Sequence, residues 1–173
     1  MVVSTTEPTR RFLQTWVPLL AIFVLIVAEH VPLGGDWLTS MDIGFVFVPM
    51  FFLARYSEGP VAPIAILLLG VFKDITSETP IGFWSFLFCV FFILALGQRQ
   101  LLYNAAFNTV WATFGFLCFL IYAVFYVAAV LSLSVAPSFG ATMLGALLTV
   151  LAFPLFNVAF DWLSQDDHPH GAY

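Results

Sequence analysis

Six apolar runs separated by short polar turns fill most of the chain: Phe12 to Val31, Ile43 to Ala54, Val61 to Phe72, Ile81 to Leu96, Val110 to Leu131 and Gly140 to Phe160. A helix rises 1.5 Å per residue, so about 20 apolar residues cross the hydrocarbon of a bilayer. The first, fifth and sixth runs have that length and the fourth comes near it. The second and third, at about 12 residues each, read as short, tilted or broken helices, with Pro49 inside the second. The resulting fold class is an all-α membrane protein of six transmembrane helices.

Composition closes the soluble alternative. Charged residues make up 9% of the chain and hydrophobic residues 62%, with a mean hydropathy of +1.03, whereas soluble domains carry charges at about a quarter of positions. Too little polar surface remains to coat a water-soluble particle, so the outside of the bundle must face the lipid bilayer.

Orientation follows from the basic residues. Arg10, Arg11, Arg55 and Arg99 fall on one side of the six-span arrangement and Lys73 on the other, which puts both termini in the cytoplasm by the positive-inside rule. The chain divides into an N-terminal cytoplasmic tail (1–11), a transmembrane domain (12–160) and an acidic C-terminal cytoplasmic tail (161–173). No small-residue cleavage site follows the first run before Glu29-His30, so it reads as an uncleaved span. Trp16, Trp37, Trp84, Trp111 and Trp162 all fall near span ends, as an aromatic belt at the membrane interfaces would have them.

The polar inventory excludes most chemistry. A net charge of -5 provides no basic face for nucleic acid. Cys89 and Cys118 sit inside apolar runs and read as buried or lipid-facing thiols. His30 beside Glu29 reads as an interfacial stop, and His168 and His170 belong to a solvated acidic tail. No nucleophile motif, phosphate loop or metal-ligand spacing occurs, so the chain reads as non-catalytic, with no cofactor and no metal.

One stretch departs from this pattern. In Ile64 to Gly82, IAILLLGVFKDITSETPIG, opposite charges Lys73 and Asp74 stand side by side against apolar flanks. A charge at membrane depth is costly and is normally paired, facing the bundle interior, and Lys73 is the adjacent candidate partner for Asp74. Gly70 lies one helical turn before Asp74 on the same face, where a missing side chain lets another backbone approach. Thr79-Pro80 reads as a helix start, with threonine as cap and proline at the first position.

These residues carry a resemblance. The block from Asp42 to Asn104 resembles the MreD family, small multispan membrane proteins of the bacterial rod-shape machinery. The family's hairpin has a glycine, an aspartate four residues later, and a polar turn ending in a glycine-containing dipeptide eight residues after the aspartate. Here these are Gly70, Asp74 and Ile81-Gly82, with Pro80 in the turn. The proline of Ala152-Phe153-Pro154-Leu155-Phe156 is also similar to the family's. Lys73 stands where an apolar residue is common, Glu78 where glycine is frequent, and the tail is acidic where many members are basic. The resemblance implies a bundle like the S components of ECF vitamin transporters, in the bacterial cytoplasmic (inner) membrane. It implies direct binding of MreC within the elongasome, together with RodA and its transpeptidase, MreB and RodZ. It also implies that Gly70, Asp74, Pro80 and Gly82 shape the outer hairpin. The shared architecture leaves a second reading, a substrate-binding S subunit of a small-molecule (vitamin) transporter.

Overall fold

The computed structural model describes residues 6–29, 44–56, 60–77, 79–102, 105–132 and 138–165. Among them the chain is all-helical: α1 Thr6–Ala28, α2 Phe47–Tyr56, α3 Val61–Thr76, α4 Phe83–Leu102, α5 Phe107–Ser132 and α6 Phe139–Gln165. Three are long and apolar enough to cross a membrane, over Phe83–Leu102, Phe107–Leu131 and Phe139–Val158. The molecule is a helical membrane protein, with an exterior of exposed Leu20, Val24, Ile64, Leu68, Ile93, Phe116, Leu151 and Leu155.

The proline positions explain the helix bounds. Pro49 does not break a span, because α2 begins at Phe47 and Pro49 falls in its first turn, where a missing N–H costs no intrahelical bond. Pro154 lies deep in α6 and deprives the carbonyl of Val150, four residues earlier, of its helical donor. The indole N–H of Trp111 on α5 donates to that carbonyl at 3.0 Å, so α5 and α6 are joined where the α6 ladder is interrupted.

Several bounds differ from the sequence reading. α1 starts at Thr6 and takes Arg10 and Arg11 into the helix. α3 continues past Phe72 through Lys73 and Asp74 to Thr76. α4 starts at Phe83 and carries Gln98-Arg99-Gln100 within it. α6 runs on through Asp161 to Gln165.

Packing places α2 and α4 at the centre. α2 lies against α1, α4 and α6, and α4 lies against α2, α3 and α5. α2 is short but buried from Phe47 to Ala54, which is why its apolar run shows no periodicity. Its rings pack with those of its neighbours: Phe47 on Phe91 at 4.8 Å between centroids, Phe51 on Phe114 at 5.3 Å, and Phe52 stacked on Phe153 at 5.5 Å. Edge and offset pairs of this kind contribute about 0.5–1.5 kcal/mol each beyond their buried area.

Candidate functional site

α3 shows the bundle a narrow stripe, Ala62, Ile66, Gly70, Lys73 and Asp74, all buried and spaced to share one helical face. A methyl group at Gly70 would stand 2.5 Å from the Cα of Ser85 on α4. Glycine is therefore what allows the two backbones to come this close. The approach delivers Asp74, one turn further along the stripe and 1% exposed, to the beginning of α4.

There the carboxylate does the work of a missing cap. Gly82 precedes α4 and has no side chain with which to cap it. Asp74 Oδ2 accepts from the Gly82 N–H at 2.9 Å, the Ser85 N–H at 3.4 Å and the Ser85 hydroxyl at 2.8 Å, and Oδ1 accepts from the Trp84 N–H at 2.6 Å. The remaining N–H of the turn, that of Phe83, donates to the Pro80 carbonyl at 3.1 Å, and the regular ladder begins with Phe86 to Gly82. Every orphan donor of the first turn thus has an acceptor. The negative charge also sits at the positive end of the α4 dipole.

The connecting turn has one demanding position. Gly82, in the turn closed by the Phe83 N–H to Pro80 carbonyl bond, adopts φ +101°, a region of backbone space that favours glycine. Nothing lies within 4 Å of a Cβ placed there, so the requirement for glycine is conformational. Local capping by Thr79 is overturned. The helix starts three residues after Pro80, and the Thr79 hydroxyl is buried with no hydrogen-bond partner among the described residues.

Lys73 turns the other way. Its ammonium meets Glu29, at the end of α1, at 2.5 Å, and stands 3.9 Å from the centroid of the Trp84 ring. Lys73 is 2% exposed, so Glu29 and the indole face replace its water, by Coulomb attraction and cation–π attraction respectively. The ion pair proposed between Lys73 and Asp74 is replaced by one between Lys73 and Glu29. Glu29 is a structural partner rather than a simple interfacial stop, and Trp84, near the start of α4, is buried beneath the lysine. Trp37 and the side chain of Trp162 lie outside the described residues.

Arg55 acts at the far end of the same helix. From the last turn of α2 its guanidinium donates to the carbonyl of Leu102, the final residue of α4, at 3.0 Å. Cations there complement the negative end of the dipole. Arg99 is half-buried in the last turn of α4, and the side chains of Arg10 and Arg11 lie outside the description.

Residue types alone did not reveal Glu29, Ser85 and Trp84 as members of this cluster. The signal that exists is the lone lysine, which at membrane depth demands an acid; the sequence does not say which of several acids answers it. No group of three or more His, Cys, Asp or Glu residues that could hold a metal ion occurs among the described residues. Comparison of the chain with protein-family models, with curated proteins and with solved structures finds no match. The arrangement is built to fix helices, with its carboxylates committed to backbone N–H groups and to an ammonium.

Proposed function

We propose that this chain is an MreD-like, non-catalytic component of a bacterial cell-wall elongation complex. In this reading it crosses the cytoplasmic membrane six times with both termini inside, and binds the single transmembrane helix of an MreC-type partner through its apolar exterior. RodA and its transpeptidase, MreB and RodZ belong to the same assembly. The observation that carries the reading is the convergence of Gly70, Asp74 and Gly82, the residues of the family-like hairpin, on one capped helix start. A spacing that resembles a family hallmark thereby has a structural reason in this chain.

Among the described residues, tight packing supports a scaffold over a transporter subunit. A vitamin needs a cavity of several hundred Å³, whereas the space beside Phe47 and Trp84 measures about 10 Å³. Packing between helices in lipid relies on van der Waals fit, and the exposed apolar side chains of the described helices offer surface for it.

The test is co-purification with the MreC-type protein of the same cell, together with cell shape. Asp74→Ala is expected to lower recovery of the complex and to round the cells. Normal rods with normal co-purification would sink the assignment, and tight binding of a vitamin to the purified protein would replace it with the transporter reading.

A further inference from the structure

The apolar exterior of the bundle is not equally tall on all sides. On α3 the exposed apolar side chains run from Val61 through Ile64, Leu68 and Phe72 to Ile75, about 21 Å along the axis at 1.5 Å per residue. On α5 they run from Phe107 to Leu131 and on α6 from Phe139 to Val158, about 36 Å and about 29 Å by the same rise. The hydrocarbon of an ordinary bilayer is about 30 Å thick. α6 matches it, α5 fits with a tilt, and α3 falls short. Tilting α3 would lower its height further.

Polar groups fix both limits on the α3 side. At the outer end Lys73 meets Glu29, whose side chain is partly exposed, and the Thr76 hydroxyl turns back on the carbonyls of Phe72 and Lys73. At the inner end the sequence enters α3 through Ser57-Glu58-Gly59-Pro60. α4 repeats the measure: its apolar stretch from Phe83 to Gly97 is followed by Gln98-Arg99-Gln100, again about 21 Å. The two helices are also in register. Gly70 meets Ser85, which sets Val61, about 14 Å back along α3, near Leu94 of the antiparallel α4. The polar residues of α4 thus begin about one turn beyond the start of α3. A short span can reduce its mismatch by sending a flanking lysine out to the interface, but Lys73 points inward and is buried.

We propose that the face formed by α3 and α4 is a bilayer-thinning surface. Lipid covers it, with the hydrocarbon drawn in to about 21 Å there and left at its ordinary thickness beside α6. The inference rests on the reading that α3 crosses the membrane. A partner helix with about 20 apolar residues then matches the α6 side in height and not this one.

The experiment places the full chain in nanodiscs of dimyristoleoyl, dioleoyl or dierucoyl phosphatidylcholine, a series of increasing chain length. The thermal midpoint is expected to be highest in the shortest lipid and to fall by several degrees across the series. Thr76→Leu/Ser77→Leu, which extends the apolar band of α3 outward, should shift the preference toward dioleoyl chains. A map of the protein in dioleoyl nanodiscs should show the two leaflets closer together beside α3 than beside α6. A midpoint that is flat or rises with chain length, leaflets of even separation, or a second copy of the chain seated on α3 in place of lipid overturns the proposal. The spanning of α3 is checked separately with Ser57→Cys and Ser77→Cys, in a chain whose Cys89 and Cys118 are replaced by alanine, using a membrane-impermeant maleimide on spheroplasts. Only the Ser77→Cys variant should react from outside. Reaction at both positions or at neither removes the spanning reading and the inference with it, whereas one-sided reaction with even leaflets removes the thinning alone.

Discussion

The Asp74 carboxylate on α3 accepts the backbone N–H of Trp84 on α4 at 2.6 Å, across ten residues of sequence and between two helices. A cap usually comes from the residue just before the helix. Here it comes from the preceding helix, so the start of α4 and the docking of α3 are one event. Asp74→Ala would leave three backbone N–H groups and the Ser85 hydroxyl without their acceptor. Such losses cost about 1–3 kcal/mol per buried group and do not add fully. A loss of roughly 3–5 kcal/mol is expected on that scale, read as a fall in thermal midpoint in detergent. Asp74→Asn, which keeps one acceptor oxygen, should fall between the variant and the native protein.

Gly70→Ala tests the close approach. The added methyl meets Ser85 Cα, a backbone atom that cannot rotate away, so α3 and α4 must separate. Overpacking of this kind costs about 1–3 kcal/mol. Gly97, in the same α4 but with open space around it, is the control: Gly97→Ala should be neutral, or stabilising by up to about 1 kcal/mol. Equal behaviour of the two variants in a thermal unfolding series would contradict the contact.

The Lys73–Glu29 pair should be asymmetric. Glu29→Gln strands an ammonium that is 2% exposed and should destabilise by about 2 kcal/mol or more, since a buried charge without its partner is the costly state. Lys73→Met leaves behind a carboxylate whose side chain is 27% exposed, and should cost less. The double variant Glu29→Gln/Lys73→Met is expected to recover most of the loss, measured by a double-mutant cycle on thermal stability.

A second cycle separates the joint between α5 and α6. Trp111→Phe removes the donor to Val150 and should cost about 1–2 kcal/mol. Pro154→Ala restores an N–H to α6 at the position that bonds the Val150 carbonyl. The tryptophan variant should therefore cost less in the alanine background, and strictly additive effects would show that the two residues are independent.

The hairpin was legible in the sequence because its parts are close along the chain: Gly70 and Asp74 share a face by helical geometry, and Gly82 follows within one turn. The apolar runs likewise announced helices, since continuous apolar stretches satisfy their backbone in lipid as helices, whereas barrel strands alternate apolar and polar residues. The start of α4 was misplaced at Thr79-Pro80 because capping rules read only the local residues, whereas the carboxylate that won comes from another helix. Glu29 was out of reach for a related reason. It pairs with Lys73 across 44 residues, and which acid meets a lone lysine is decided by how α1 packs, not by spacing. Pro49 was placed inside a short, tilted or broken helix because the run around it was taken to begin at Ile43, whereas the helix begins at Phe47 and Pro49 falls in its first turn.

Arg55 and Asp74 hold α4 from opposite ends, each supplied by a different neighbouring helix. A helix fastened in that way cannot slide like a piston or roll about its axis without surrendering a charged contact at one end. Rearrangement of this protein would then be a matter of the outer helices shifting around a fixed central post, with α4 as the frame of reference for whatever the others do.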